Sequence, residues 1–170
     1  MIQQEPKWLI LAQKYIGLHE IKGSIHNKAI IGFWSKIFAP FRDDETPWCA
    51  AFVGAVLEEC GIRSTRSAAA RSYEKWGRKL NGPAVGAIVV LNRRPPNPAF
   101  GHVNILKGRD QFGKIVCVGG NQNDAVTQDS FDLSRVISYH YPIGAPIPET
   151  GWNCLPLIEK KITQTETKVT

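Results

Sequence analysis

Residues 45–61, ETPWCAAFVGAVLEECG, decide how the rest of the chain is read. An unbroken apolar run follows a Thr-Pro-Trp-Cys start and ends at a glycine. Thr46 is a good N-cap, and Pro47 suits the first helical position because its missing N–H would be unpaired there anyway. Gly61 is a suitable stop. The run therefore predicts a buried helix with Cys49 on its first turn. Free cysteine is also among the most buried residue types, so the same residues describe a plain core helix.

The elements on either side set the fold class. Upstream, Trp8, Leu9, Leu11, Ala12, Tyr15 and Ile16 recur at helical spacing, and residues 27–37 offer a second helix capped by Asn27. Downstream, SAAARSYEKW (67–76) reads as a further helix. The pattern then changes to β-branched runs at 86–93, 102–108, 114–120 and 135–141, separated by Gly, Pro, Asn and Asp. Helices first and strands afterwards predict an α+β domain, with the helices packed on an antiparallel sheet. The Pro-rich segment 94–101 is expected to be a loop between the first two strands. The domain is expected to span residues 1–145, and residues 146–170 to form a Pro-containing, polar and mobile tail.

Composition narrows the class. At 170 residues the chain is long enough for one domain with a real core. It has 43% hydrophobic and 21% charged residues, with no apolar run long enough to span a membrane. The N-terminus lacks a basic start and reads as a first helix instead of a secretory signal. Synthesis in the cytoplasm is expected, with no membrane insertion. The net charge of +6 favours an anionic polymer as partner, whether nucleic acid or a bacterial wall rich in phosphate and carboxylate. The basic residues are scattered and carry no nucleic-acid motif, so no nucleic-acid partner is expected.

The four cysteines, at 49, 60, 117 and 154, form no C-x-x-C pair, which excludes zinc-ribbon and thioredoxin readings. Cys60 and Cys117 look like core residues. Cys49 differs by its place at a helix start, where the positive end of the helix lowers a thiol pKa and unpaired N–H groups are available to an oxyanion. Such a nucleophile needs a base. His102 opens the strand HVNIL directly after a glycine and is well placed to face a cleft. His140 alternates with Tyr139 and Tyr141 and could face solvent. His19 and His26 suit no standard metal spacing, so no metal and no cofactor are expected. The imidazole also needs an orienting partner. Asn121, in VGGNQND, is the first candidate and Asp124 the second. Trp48, beside the cysteine, is a candidate for the substrate groove, whereas Trp34 and Trp76 are assigned to the core.

In order along the chain, PWCAAFVGAVLEECGI, SAAARSYEKWG, GAIVVL, GHVNIL and GGNQ resemble the CHAP and NlpC-type papain-like amidases and endopeptidases, in particular a subgroup of phage and bacterial wall-acting proteins. The opening WLILAQKYIGLHEIKGSIHN is similar to the start of that subgroup. The resemblance covers roughly residues 6–142. It implies a papain-like fold and a peptidoglycan hydrolase that cuts either the sugar–peptide link (an N-acetylmuramoyl-alanine amidase) or a bond within the peptides. It further implies Cys49 as nucleophile, His102 as base and Asn121 as the residue orienting His102. Gln122 or the Cys49 backbone N–H would then serve the oxyanion. An endolysin or other lytic protein is the expected role, acting as a monomer at the wall after release or delivery. An antibacterial amidase toxin with an immunity partner, or a non-catalytic wall-binding or phage structural protein, would use the same fold.

Overall fold

The computed structural model describes residues 3–93, 97 and 99–161. Three α-helices come first: α1 (Lys7–Lys14), α2 (Lys28–Lys36) and α3 (Cys49–Glu59). Asn27 caps α2 as its residue type predicts, its side chain accepting from the Ala29 N–H at 2.9 Å. Residues 70–75 form a 3₁₀ helix in place of the α-helix expected over 67–76. Its six residues pack one face, through Ala70 and Tyr73, onto the sheet.

Six strands follow: β1 (Arg78–Leu80), β2 (Ile88–Asn92), β3 (Gly101–Arg109), β4 (Ile115–Gln122), β5 (Ala125–Phe131) and β6 (Val136–Tyr141). They form one sheet in the order β1-β6-β2-β3-β4-β5, and every pairing is antiparallel. The architecture is thus α+β, with N-terminal helices packed on an antiparallel sheet. Strands β1 and β5 were not expected. β1 is three residues long, and β5, AVTQDSF, is too polar to stand out as an apolar run.

Helix α3 is the central layer. Every residue from Cys49 to Leu57 is buried, and the helix lies against β3 and β4 on one side and α1 and α2 on the other. Phe33, Trp34, Trp48, Phe52 and Tyr73 are among the largest sealed side chains of the core. Trp34 is in the core as expected. Trp76 is only half-buried, its indole N–H donating to the Arg63 carbonyl at 2.9 Å. Such burial, at roughly 1.5–3 kcal/mol per large apolar side chain, holds the start of α3 against β3 and β4.

Two local departures matter for what sits there. Thr46 does not cap α3, which begins at Cys49 with Trp48 in the N-cap position and no side-chain cap. Thr46 belongs instead to a turn closed by Asp43, whose carboxylate accepts from the Thr46 N–H at 2.6 Å and the Glu45 N–H at 3.0 Å. An Asp at the head of a turn satisfies those donors locally, which removes Thr46 from the helix end. Beyond residue 145, the chain first passes the N-terminal segment and Pro83, and residues 155–158 then lie along the end of β3. Leu155 is buried, and Arg109 exchanges backbone hydrogen bonds with Pro156 and Ile158.

Candidate active site

The stretch Gly119-Gly120-Asn121-Gln122 places the polar groups, and each residue has a separate reason. β4 pairs with β5 as Gly119↔Thr127 and then Gln122↔Ala125, so β4 carries one extra residue between those pairs. That is a β-bulge. Asn121 takes the left-handed backbone it requires, with φ 57°. Asn123 and Asp124, also left-handed, make the two-residue hairpin turn that pins the register. Because the bulge shifts the alternation by one, Gln122 shares a face with Gly119. A Cβ on Gly119 would overlap the Gln122 side-chain oxygen, and one on Gly120 would lie 2.6 Å from Phe52 and the Trp48 ring. Glycine at 119 leaves room for the Gln122 amide, and glycine at 120 lets β4 close on α3.

The Gln122 amide is held at both ends. Its nitrogen donates to the Thr127 carbonyl at 3.0 Å and to Thr127 Oγ1 at 2.9 Å. Its oxygen accepts from Asn104 at 3.3 Å and lies 2.9 Å from His102 Nε2. With the amide so oriented, His102 Nε2 carries a proton, and Nδ1 is left without one to interact with the Cys49 thiol. Phe131 stacks on the imidazole with ring centroids 5.8 Å apart.

Burial by itself raises the Cys49 thiol pKa. The hydrogen bond and charge of His102, with backbone donors at Val103 and Ala50, outweigh it and bring the thiol below its ordinary value. Burial likewise lowers the His102 pKa, and the bond and charge of Cys49, aided by Gln122, overturn this and raise it. Both shifts favour a thiolate–imidazolium pair. The pair opens on a cleft of about 360 Å³ lined by Pro47, Arg93, Asn121, Asp129, Phe131 and Arg135 among others.

Residues 41–121 match the CHAP domain family. Just under half of the chain is thus similar to CHAP domains. CHAP is a papain-like family of amidases and peptidases, typically cysteine-dependent hydrolases of peptidoglycan. The CHAP match takes in α3, β2, β3 and nearly all of β4. No curated protein matches the chain. Among the described residues, no helix is long and apolar enough to cross a membrane.

Of the residues singled out by sequence, Cys49 and His102 meet at the mouth of the cleft. Asn121 lines the cleft, but the position beside His102 Nε2 belongs to Gln122. Asp124 lies in the hairpin turn, where its carbonyl accepts from the Glu20 N–H at 2.8 Å. Both donors of the Gln122 amide are taken by Thr127, so that amide is not directed at an oxyanion. Trp48 is wholly buried and does not line the groove. Its indole N–H donates to Glu20 at 2.7 Å, and its ring packs beneath Gly120. His140 is buried against Ser138, and His26 pairs at 2.9 Å with the fully buried carboxylate of Asp44. That carboxylate also accepts the Ile21 and Asn27 N–H groups, which ties down the loop ahead of α3. Among the described residues, no group of three or more His, Cys, Asp or Glu side chains is arranged to hold a metal ion. Phe131 and Asp129 had no sequence signal as site residues, since β5 was not recognised as a strand, and Arg135, at the head of the run 135–141, was not singled out.

Proposed function

We propose that the protein hydrolyses an amide bond of peptidoglycan by a thiol mechanism, with Cys49 as nucleophile, His102 as general base and acid, and Gln122 as the residue that positions His102. The observation that carries this reading is that Cys49 and His102 line one cleft, with His102 Nε2 2.9 Å from Gln122 Oε1. His102 takes the thiol proton, and the thiolate attacks the carbonyl carbon to form a C–S bond. The tetrahedral oxyanion is met by the Cys49 backbone N–H, which has no partner within the helix because Cys49 is its first residue. The C–N bond then breaks as His102 gives its proton to the leaving amine. Water attacks the resulting thioester while His102 takes the water's proton. The C–S bond breaks, the acid product leaves, and the thiolate–imidazolium pair returns.

Asn121 is assigned to the cleft wall in this reading, with its left-handed backbone setting the bulge that aims Gln122. A neutral amide orients the imidazole and fixes its tautomer without adding a full negative charge. The biological use proposed is lytic, of the endolysin kind, and the net charge of +6 suits an anionic wall. Clearing of purified peptidoglycan tests the reading. The wild type should solubilise it and Cys49→Ala should not. Equal clearing by the two would remove the mechanism.

A further inference from the structure

The Cys49 sulfur sits where two compartments meet. The first is the polar cleft already described. The second, about 320 Å³, is lined by Thr46, Ala68, Ala69, Ala70, Ala99 and Phe100. Pro47, Cys49, Arg93 and Gly101 border both. His102 lines only the first.

Acyl-enzyme chemistry sorts the two. The amine must depart beside the group that protonates it, so the leaving fragment lies on the His102 side and the acyl fragment on the other. The two sides differ in character. On the acyl side the surface is mostly alanine and phenylalanine; of its two cations, Arg71 is paired with Glu74 at 3.0 Å, and Arg93, 5.8 Å from the Phe100 ring, is shared with the other side. On the amine side stand Arg93 and Arg135 with the amides of Asn121 and Asn123. Arg135 is held rigidly. Its Nε and Nη2 donate to the Asn92 carbonyl at 3.1 and 2.9 Å, and its guanidinium lies 5.4 Å from the Phe131 ring that stacks on His102. Its charge reaches the imidazole, opposing the rise in the His102 pKa. The one carboxylate in that lining, Asp129, accepts from the Ser130 N–H at 2.9 Å and has Lys160 3.9 Å away.

Resting on the hydrolase reading above, we propose that the enzyme selects its scissile bond by charge: the fragment that leaves as the amine carries a free carboxylate, recognised by Arg93 and Arg135, and the acyl fragment is uncharged and apolar next to the carbonyl. A guanidinium–carboxylate contact is directional and charge-assisted, so it discriminates an acid from its amide.

The test uses the full-length protein and matched cross-linked muropeptides whose carboxyl next to the leaving amine is either free or amidated, with an alanyl residue on the acyl side. The free acid should be cleaved with kcat/KM at least about tenfold higher, as expected when a charge-assisted contact is lost. Arg135→Gln and Arg93→Gln should each bring the ratio of the two substrates towards one. Arg93 is exposed, so that variant decides the matter even if Arg135→Gln fails to fold. Equal cleavage of acid and amide by the wild type, with Cys49-dependent clearing of whole peptidoglycan intact, overturns the charge selection and leaves the hydrolase reading standing. Failure to clear peptidoglycan at all overturns both.

Discussion

Cys49 and Cys117 are both buried, at 6% and 0% exposure, yet their thiols are pushed in opposite directions. Burial raises the pKa of each. At Cys117, in the middle of β4, nothing opposes it, Asp129 adds to it, and the thiol is held well above its ordinary value. At Cys49 the same penalty is overcome by His102 and by backbone donors. The difference is one of position within an element. A mid-strand residue has its neighbouring N–H and C=O groups committed to the ladder, whereas the first residue of a helix sits among uncommitted donors and at the positive end of the dipole. In the proposed mechanism, reactivity comes from what stands beside the sulfur and not from its exposure.

Changes at each residue should separate the two thiols. Cys49→Ala should keep the fold and lower wall-degrading activity by about 10⁴-fold or more, measured by release of soluble fragments. His102→Ala should cost about 10³–10⁴-fold in the same assay. It should also return the Cys49 thiol towards the high pKa that burial dictates, making it resemble Cys117. Gln122→Ala should cost about 10²-fold by letting the imidazole drift. It should also move the alkaline limb of the pH–activity profile to lower pH, because Gln122 helps to hold the proton on His102. Asn121→Gly preserves the left-handed backbone and should stay within about threefold of wild type; a larger loss than that of Gln122→Ala would return the orienting role to Asn121. Cys117→Ser should leave turnover unchanged and destabilise the fold by about 1–3 kcal/mol in chemical denaturation, since it buries a hydroxyl among apolar neighbours. Across all active forms the profile should be bell-shaped. The acid limb marks loss of the Cys49 thiolate, displaced below the ordinary thiol range, and the alkaline limb marks loss of the His102 proton, displaced above the ordinary imidazole range.

The same contrast shows which parts of the molecule were readable from sequence. α2, α3 and the strands β2, β3, β4 and β6 announce themselves, because apolar runs bounded by Gly, Pro and Asn have few other outcomes. Cys49 and His102 were visible as a helix start and a strand start. Gln122 was visible as a residue but not in its role. Period-two alternation puts Asn121, not Gln122, on the Gly119 face, and only the bulge reverses this. The signals for it were Gly-Gly before the pair and Asn-Asp after it, a left-handed turn signature that fixes register. β5 escaped because one of its faces is polar, and with it went Asp129 and Phe131. Thr46 misled because Asp43, three residues earlier, engages both its N–H and its hydroxyl. Trp48 misled because an indole next to a candidate nucleophile looks like a groove wall, whereas its N–H has an internal partner in Glu20.

The sharing of a proton between Cys49 and His102 can be measured directly by residue-resolved iodoacetamide alkylation as a function of pH, in the wild type and in His102→Ala. In the wild type Cys49 should react well below about pH 8.5, the ordinary thiol midpoint. It should do so ahead of Cys60, whose thiol burial raises, and that advantage should vanish when His102 is removed. Alkylation of Cys49 that follows the pH profile of Cys60, and that is unchanged by His102→Ala, would contradict the account.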